Sequence, residues 1–152
     1  SQSAIDKVQA LVDDAKKKGA KILCGGKVAS KVGDHFYQPT VITKVDGSMN
    51  IACDEIFGPV MPIFTFKTEA EAIKIANNTP YGLAGYFYSR DISRAWRVAD
   101  AMEVGMVAVN AGHMSTAVAP FGGVKESGTG REGSYMGIEE YLHTKYIFMN
   151  IE

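Results

Sequence analysis

The sequence predicts an α/β fold: a parallel twisted sheet with flanking helices, followed by a terminal strand. Three observations carry this. Apolar residues near the start recur at helical spacing, strand and helix patterns alternate from Val60 to Val109, and the tail from Tyr141 to Ile151 is rich in aromatic and β-branched residues.

Ile5, Val8, Leu11, Val12 and Ala15 fall on one face of a helix, which Gly19 stops. Ile22-Leu23-Cys24 is a short apolar run ending at Gly25-Gly26, as a strand does. Phe36 to Val45 reads as extended, and Pro39 within it points to an edge strand rather than a central one. Val60 to Phe66 is the next strand. Thr68 and Glu71 then form a capping box that opens a helix running to about Asn78. Pro80 and Gly82 mark a turn before a strand from Leu83 to Tyr88. Asp91 caps a helix whose apolar stripe is Ile92, Ala95, Trp96, Ala99 and Met102. Met106 to Val109 reads as a strand covered on both faces. Two successive crossovers of this kind build a parallel sheet, whose ligands bind beyond the carboxyl ends of the strands. The loop after Val109, which runs through His113, Met114 and Ser115, falls there. The tail strand is an uncovered apolar edge, which seeks a partner sheet.

With 152 residues, 46% hydrophobic and 22% charged, the chain suits one ordinary globular core. A net charge of -1 offers no basic field for nucleic acid, and the run Lys16-Lys17-Lys18 is placed to complement a helix C-terminus. No apolar run reaches a membrane span and no secretory signal opens the chain. Two cysteines, Cys24 and Cys53, make no disulfide framework and favour a reducing compartment. The chain opens on Ser1, directly into a helical pattern, as a piece of a longer protein would.

Several residue groups carry possible chemistry. Gly128, Gly130 and Gly133 match G-x-G-x-x-G, but Val124 to Ser127 is too polar for the buried strand a dinucleotide fingerprint needs. A tight-turning loop is the better reading. A nucleophilic cysteine needs a cation or a helix N-terminus. Cys24 ends a strand and Cys53 precedes Asp54 and Glu55, so both read as structural. His35, His113 and His143 have no metal-ligand spacing. Glu55 and Phe57 flank Ile56 before a strand. A carboxylate there can bind sugar hydroxyls and an aromatic ring can support a flat heterocycle, but a surface acid and a core phenylalanine fit the same letters.

Asp54-Glu55-Ile56-Phe57-Gly58-Pro59-Val60 resembles the E-x-F-G-P motif of aldehyde dehydrogenases. The resemblance continues in order through Asn77, Tyr81-Gly82-Leu83-Ala84, Val109-Asn110, Pro120 to Gly128 and Gly130-Arg131-Glu132-Gly133, and covers essentially the whole chain. Within the family, Gly85 to Ser89, Gly130 to Ser134, Gly137 to Leu142 and Lys145-Tyr146 look like the succinate-semialdehyde type.

The resemblance implies the C-terminal part of the catalytic domain at 1–140 and an oligomerisation strand at 141–152. It implies oxidation of succinic semialdehyde to succinate with NAD or NADP, through a cysteine thiohemiacetal and thioester that a glutamate base helps to hydrolyse. The nucleophile, that base and most of the cofactor site are implied to precede Ser1, so the chain contains no catalytic residue and is expected to be inactive alone. Glu55 matches the ribose-binding glutamate, Phe57 the phenylalanine beside the nicotinamide, Phe121 an aromatic wall of the aldehyde tunnel, and Ser115 the serine that bonds the substrate's far carboxylate. His113 and Met114 replace a more usual apolar pair. The implied partners are a small aldehyde and further copies of the chain, as a dimer or tetramer joined through the tail, with no nucleic acid or membrane and no metal. The implied compartment is the cytoplasm, with the mitochondrion as alternative. Competing readings are a dehydrogenase of another aldehyde, a non-catalytic assembly module and a small thiol enzyme using Cys24 or Cys53.

Overall fold

A computed structural model describes residues 1–151. The chain divides into two compact units, Ser1–Phe66 and Lys67–Glu152.

The first unit is built on α1 (Gln2–Lys17), in which Ile5, Val8, Leu11, Val12 and Ala15 are all buried. Burying each of the larger of these side chains contributes about 1.5–3 kcal/mol. Gly19, at φ +99°, lets the chain leave the helix in the left-handed region. The stripe packs on Ile42, Val45, Met49 and Ile51. At the helix end Asp14 accepts a 2.8 Å hydrogen bond from Asn50 N and pairs with Lys18 Nζ at 2.9 Å. Lys18 Nζ also donates to the Ser48 carbonyl at 2.7 Å. The Asn50 amide first, then Lys18, holds the Asp14 carboxyl below its ordinary range.

β1 (Lys21–Cys24) pairs antiparallel with β2 (Thr40–Thr43), which pairs parallel with β3 (Val60–Pro62). β2 is therefore the central strand, not the edge that Pro39 suggested. The proline stands just before the strand's first residue, where its missing N–H removes no ladder bond. The buried Thr40 hydroxyl donates to the Gln38 carbonyl and accepts from Gly26 N, both at 2.7 Å. The strand expected from Val60 to Phe66 ends early, at Pro62.

In the second unit, Thr68 Oγ1 accepts from Glu71 N at 3.1 Å and opens α2 (Glu69–Asn77). The return bond of the capping box runs from Lys67 N to Glu71 Oε2 at 2.7 Å. The Leu83–Tyr88 strand is two short ones, β4 (Tyr81–Gly82) and β5 (Ala84–Phe87). Asp91 Oδ1 accepts from Arg94 N at 3.0 Å and starts α3 (Ile92–Ala101). Glu69 binds Arg94 Nε at 3.0 Å and Arg97 Nη2 at 3.0 Å, which links the two helices. Asn77 joins their far ends: its amide nitrogen donates to the Ala101 carbonyl at 2.8 Å and its amide oxygen accepts from Glu103 N at 2.9 Å. Lys125 Nζ donates to the Asn77 and Thr79 carbonyls and pairs with Glu103.

β5 pairs parallel with β6 (Met106–Val109), with α3 as the crossover between them. β4 pairs antiparallel with β7 (Val124–Lys125). The continuous parallel sheet of the sequence reading is thus replaced by short mixed sheets, and only one of the two expected crossovers closes a parallel pair. A two-stranded pair is too narrow to cover the α3 stripe, so Ile92 is 71% and Trp96 74% exposed. For the same reason β6 is half-buried rather than covered on both faces. The tail forms a 3₁₀ turn at Met136–Tyr141, and residues 142–151 form no strand within the chain, since a strand needs a neighbour to pair with. Among the described residues no helix is long and apolar enough to cross a membrane.

Candidate functional site

In the first unit the 3₁₀ turn Asn50–Ala52 leads into the loop that carries Glu55 and Phe57. Between them Ile56 packs against the core. Two residues later Gly58 crosses α1 so closely that an added Cβ would stand 2.5 Å from Val8 Cγ2. Ile56 is partly buried there, whereas Glu55 and Phe57 on either side of it are exposed. Phe57 is 82% exposed and takes no part in the core of this unit. It is also held at φ +48°, an uncommon conformation for an aromatic residue. Strain of this kind costs on the order of 1–3 kcal/mol and collects at functional positions. A carboxylate can accept hydrogen bonds from hydroxyl groups, and an exposed aromatic ring can support a flat heterocycle.

In the second unit β5 and β6 end level because Asn110, at φ +57°, brackets Ser89. Its amide oxygen accepts from Ser89 N and its amide nitrogen donates to the Ser89 carbonyl, both at 2.8 Å. The loop beyond then folds back on the glycine-rich segment. Ser134 N donates to the Ala117 carbonyl at 2.9 Å, and Phe121 and Glu132 exchange two backbone bonds of 2.8 Å. These pairs border an open pocket of about 370 Å³ lined by Ser115, Thr116, Ala117, Phe121, Glu132 and Gly133. Ser115 and Phe121 are thereby brought together beyond the carboxyl end of a parallel strand, where such sheets bind ligands. His113 is exposed and does not line the cavity. A larger apolar groove of about 510 Å³ runs along Ile92, Trp96 and Val109, on the stripe that the narrow sheet leaves open.

The glycine-rich segment holds one short strand, β7, whose Val124 is half-buried and Lys125 exposed, and otherwise runs as a loop. β7 pairs antiparallel with β4, and among the described residues only the 3₁₀ turn Met136–Tyr141 follows it, with no α-helix to receive a pyrophosphate. Inside the loop Arg131 Nη1 donates to the carbonyls of Gly123, Thr129 and Gly130 at 2.7, 3.0 and 2.9 Å. The sequence reading gave this arginine no role, because the carbonyls it meets come together only in the folded loop. Cys24 and Cys53 are both exposed, and neither starts a helix. Among the described residues no group of three or more His, Cys, Asp or Glu could hold a metal ion.

Mixed short sheets and a crossover helix make an α/β arrangement with an open pocket beyond the carboxyl end of a parallel strand. The aldehyde dehydrogenase family profile matches residues 1–147, and the chain belongs to that family. It is 51% identical over 148 residues to glutarate-semialdehyde dehydrogenase of Pseudomonas putida, covering 97% of this chain and 30% of the relative. It is 54% identical over 147 residues to the mitochondrial succinate-semialdehyde dehydrogenase of Arabidopsis thaliana, covering 97% of this chain and 28% of the relative. The crystal structure of an E. coli NADP dependent enzyme superposes with a TM-score of 0.92 at 49% identity, over 96% of this chain and 30% of that one. The chain thus spans about 30% of the length of the curated relatives it matches, and its fold is a portion of the aldehyde dehydrogenase fold with mixed helices and strands.

Proposed function

We propose that this chain supplies the ribose clasp and one substrate wall of an NAD- or NADP-dependent aldehyde dehydrogenase, and that the complete enzyme oxidises succinic semialdehyde to succinate. The observation that carries the reading is the cavity shared by Ser115 and Phe121. The Phe121 ring keeps water from the aldehyde end, and the Ser115 hydroxyl donates to the carboxylate at the other. A hydroxyl alone does not compensate a desolvated carboxylate. The residues lining this cavity include no cation, so the balancing charge comes from another part of the enzyme. Glu55 accepts hydrogen bonds from the ribose hydroxyls, and the Phe57 ring covers the nicotinamide. When bound, that nucleotide supplies the hydride acceptor.

Neither Cys24 nor Cys53 matches the family's nucleophile, so the chain alone is catalytically silent. Residues 1–140 act as part of the catalytic domain, and 141–152 as a strand that joins copies into a dimer or tetramer. Exposed Tyr146, Phe148 and Ile151 support that role for the tail. The cytoplasm is the compartment, with the mitochondrion as the alternative that the Arabidopsis relative's name favours.

The Pseudomonas putida relative favours a second reading, in which the substrate is glutarate semialdehyde, one methylene longer. Both readings keep a carboxylate at the far end. In the complete enzyme, Ser115→Ala is expected to raise KM for succinic semialdehyde several-fold more than for an uncharged aldehyde of similar length. Equal effects on the two would remove the carboxylate role. Reduced-nicotinamide absorbance with the 152-residue chain alone tests its silence, and turnover there would overturn that part of the reading.

A further inference from the structure

We propose that Arg131 is the positioning residue for the substrate wall: its guanidinium gathers three backbone carbonyls and so fixes the limb that carries Phe121. The inference rests on the reading of Phe121 given above. Arg131 Nη1 lies 2.7 Å from the Gly123 carbonyl oxygen, 3.0 Å from that of Thr129 and 2.9 Å from that of Gly130. One cationic nitrogen thus holds both limbs of the glycine-rich loop. Two residues before Gly123 the limbs are joined again by the paired Phe121 and Glu132 backbones. The loop end is closed by Ser127 N on the Val124 carbonyl and Gly128 N on the Lys125 carbonyl, both at 3.2 Å. Gly122 is squeezed between the limbs: an added Cβ would run into the Gly130 carbonyl and stand 2.8 Å from Arg131 Cδ.

Without the cation the three carbonyl dipoles point at one another with no donor between them. Gly123 is buried, so its carbonyl has little water to turn to. The limb then relaxes by opening, and Phe121 leaves the cavity wall. Arg131 is not itself among the residues lining the cavity. It acts through Phe121, and an aromatic wall is indifferent to the charge at the substrate's far end.

That indifference sets the test, made in the complete dehydrogenase. Arg131→Met is expected to raise KM for succinic semialdehyde and for an uncharged aldehyde alike, on the order of tenfold, with KM for the nucleotide unchanged. Arg131→Lys keeps a cation with three donors and recovers most of that loss. Phe121→Ala combined with Arg131→Met is expected to be no worse than Phe121→Ala alone, because both remove the same wall. Should Arg131→Met fail to fold, Arg131→Gln, which removes the charge and shortens the side chain while keeping a polar end, is carried through the same measurements with the same expectations. Additive losses in the double variant, a rise confined to the charged aldehyde, or an unchanged aldehyde KM in active enzyme would each overturn the inference while leaving the proposed function intact. Failure of the wild-type complete protein to oxidise any aldehyde would overturn the proposed function itself.

Discussion

Phe57 offers a direct measure of whether its loop is built for packing or for display. Its side chain is 82% exposed, so folding covers only about a fifth of a phenylalanine's roughly 200 Å², or about 40 Å². At about 25 cal/mol per Å² that burial contributes about 1 kcal/mol. Phe57→Ala in the 152-residue chain should therefore lower unfolding free energy by about 1 kcal/mol, against the 3–5 kcal/mol typical of a core phenylalanine. Phe57→Gly loses the same contact and a further ~0.5–1 kcal/mol to chain entropy, but it relieves about 1–2 kcal/mol of left-handed strain at φ +48°. The glycine variant should thus be at least as stable as the alanine variant, the reverse of their usual order. Urea unfolding of the three proteins, with m-values compared to exclude changes in the denatured state, reads this directly. A loss near 3 kcal/mol for alanine, or a glycine variant clearly less stable than alanine, would show that the ring is packed in solution and the backbone unstrained.

Two further outcomes follow from the same geometry. Glu55→Gln in the complete enzyme should lower kcat/KM on the order of tenfold through a looser nicotinamide ribose, measured by initial rates over a range of nucleotide concentrations, and an unchanged value would remove the assignment. The carboxyls of Asp14, Asp46, Glu69 and Asp91 all sit below their ordinary values, held there chiefly by Asn50 N, the Ser48 hydroxyl, the Arg97 guanidinium and Arg94 N respectively. A depressed carboxyl binds fewer protons folded than unfolded, so its stabilisation is complete above the ordinary range near pH 4 and is lost as pH falls through the depressed values. Melting temperature should therefore drop on acidification below about pH 4, and less steeply in Asp14→Asn; a wild-type melting temperature that holds or rises there would refute the assignment.

The parts of the fold legible in the sequence are those set by neighbours along the chain. The α1 stripe repeats at helical spacing, and all five of its residues are buried. Thr68 and Asp91 cap the helices they were expected to cap, because capping is a contact over three residues. What sequence did not show depends on pairing at a distance. Pro39 looked like an edge marker, yet β2 is central, since register decides which N–H groups a proline removes. Ser115 and Phe121 were singled out separately. They share a cavity only because Ala117 and Phe121 pair with Ser134 and Glu132, and nothing local announces that register. The outward turn of Phe57 is a backbone dihedral, and the grip of Arg131 is a meeting of carbonyls from two limbs. Neither is written in residue type.

The amide of Asn77 has a dynamic consequence. A single side chain closes the ends of both α2 and α3, and the Lys125 ammonium lies across the same point. Ordinarily two helix termini fray independently, each on its own free-energy scale. Here neither can loosen without releasing the other, so protons on the amides around Asn78, Met102 and Glu103 should exchange with solvent in one concerted event.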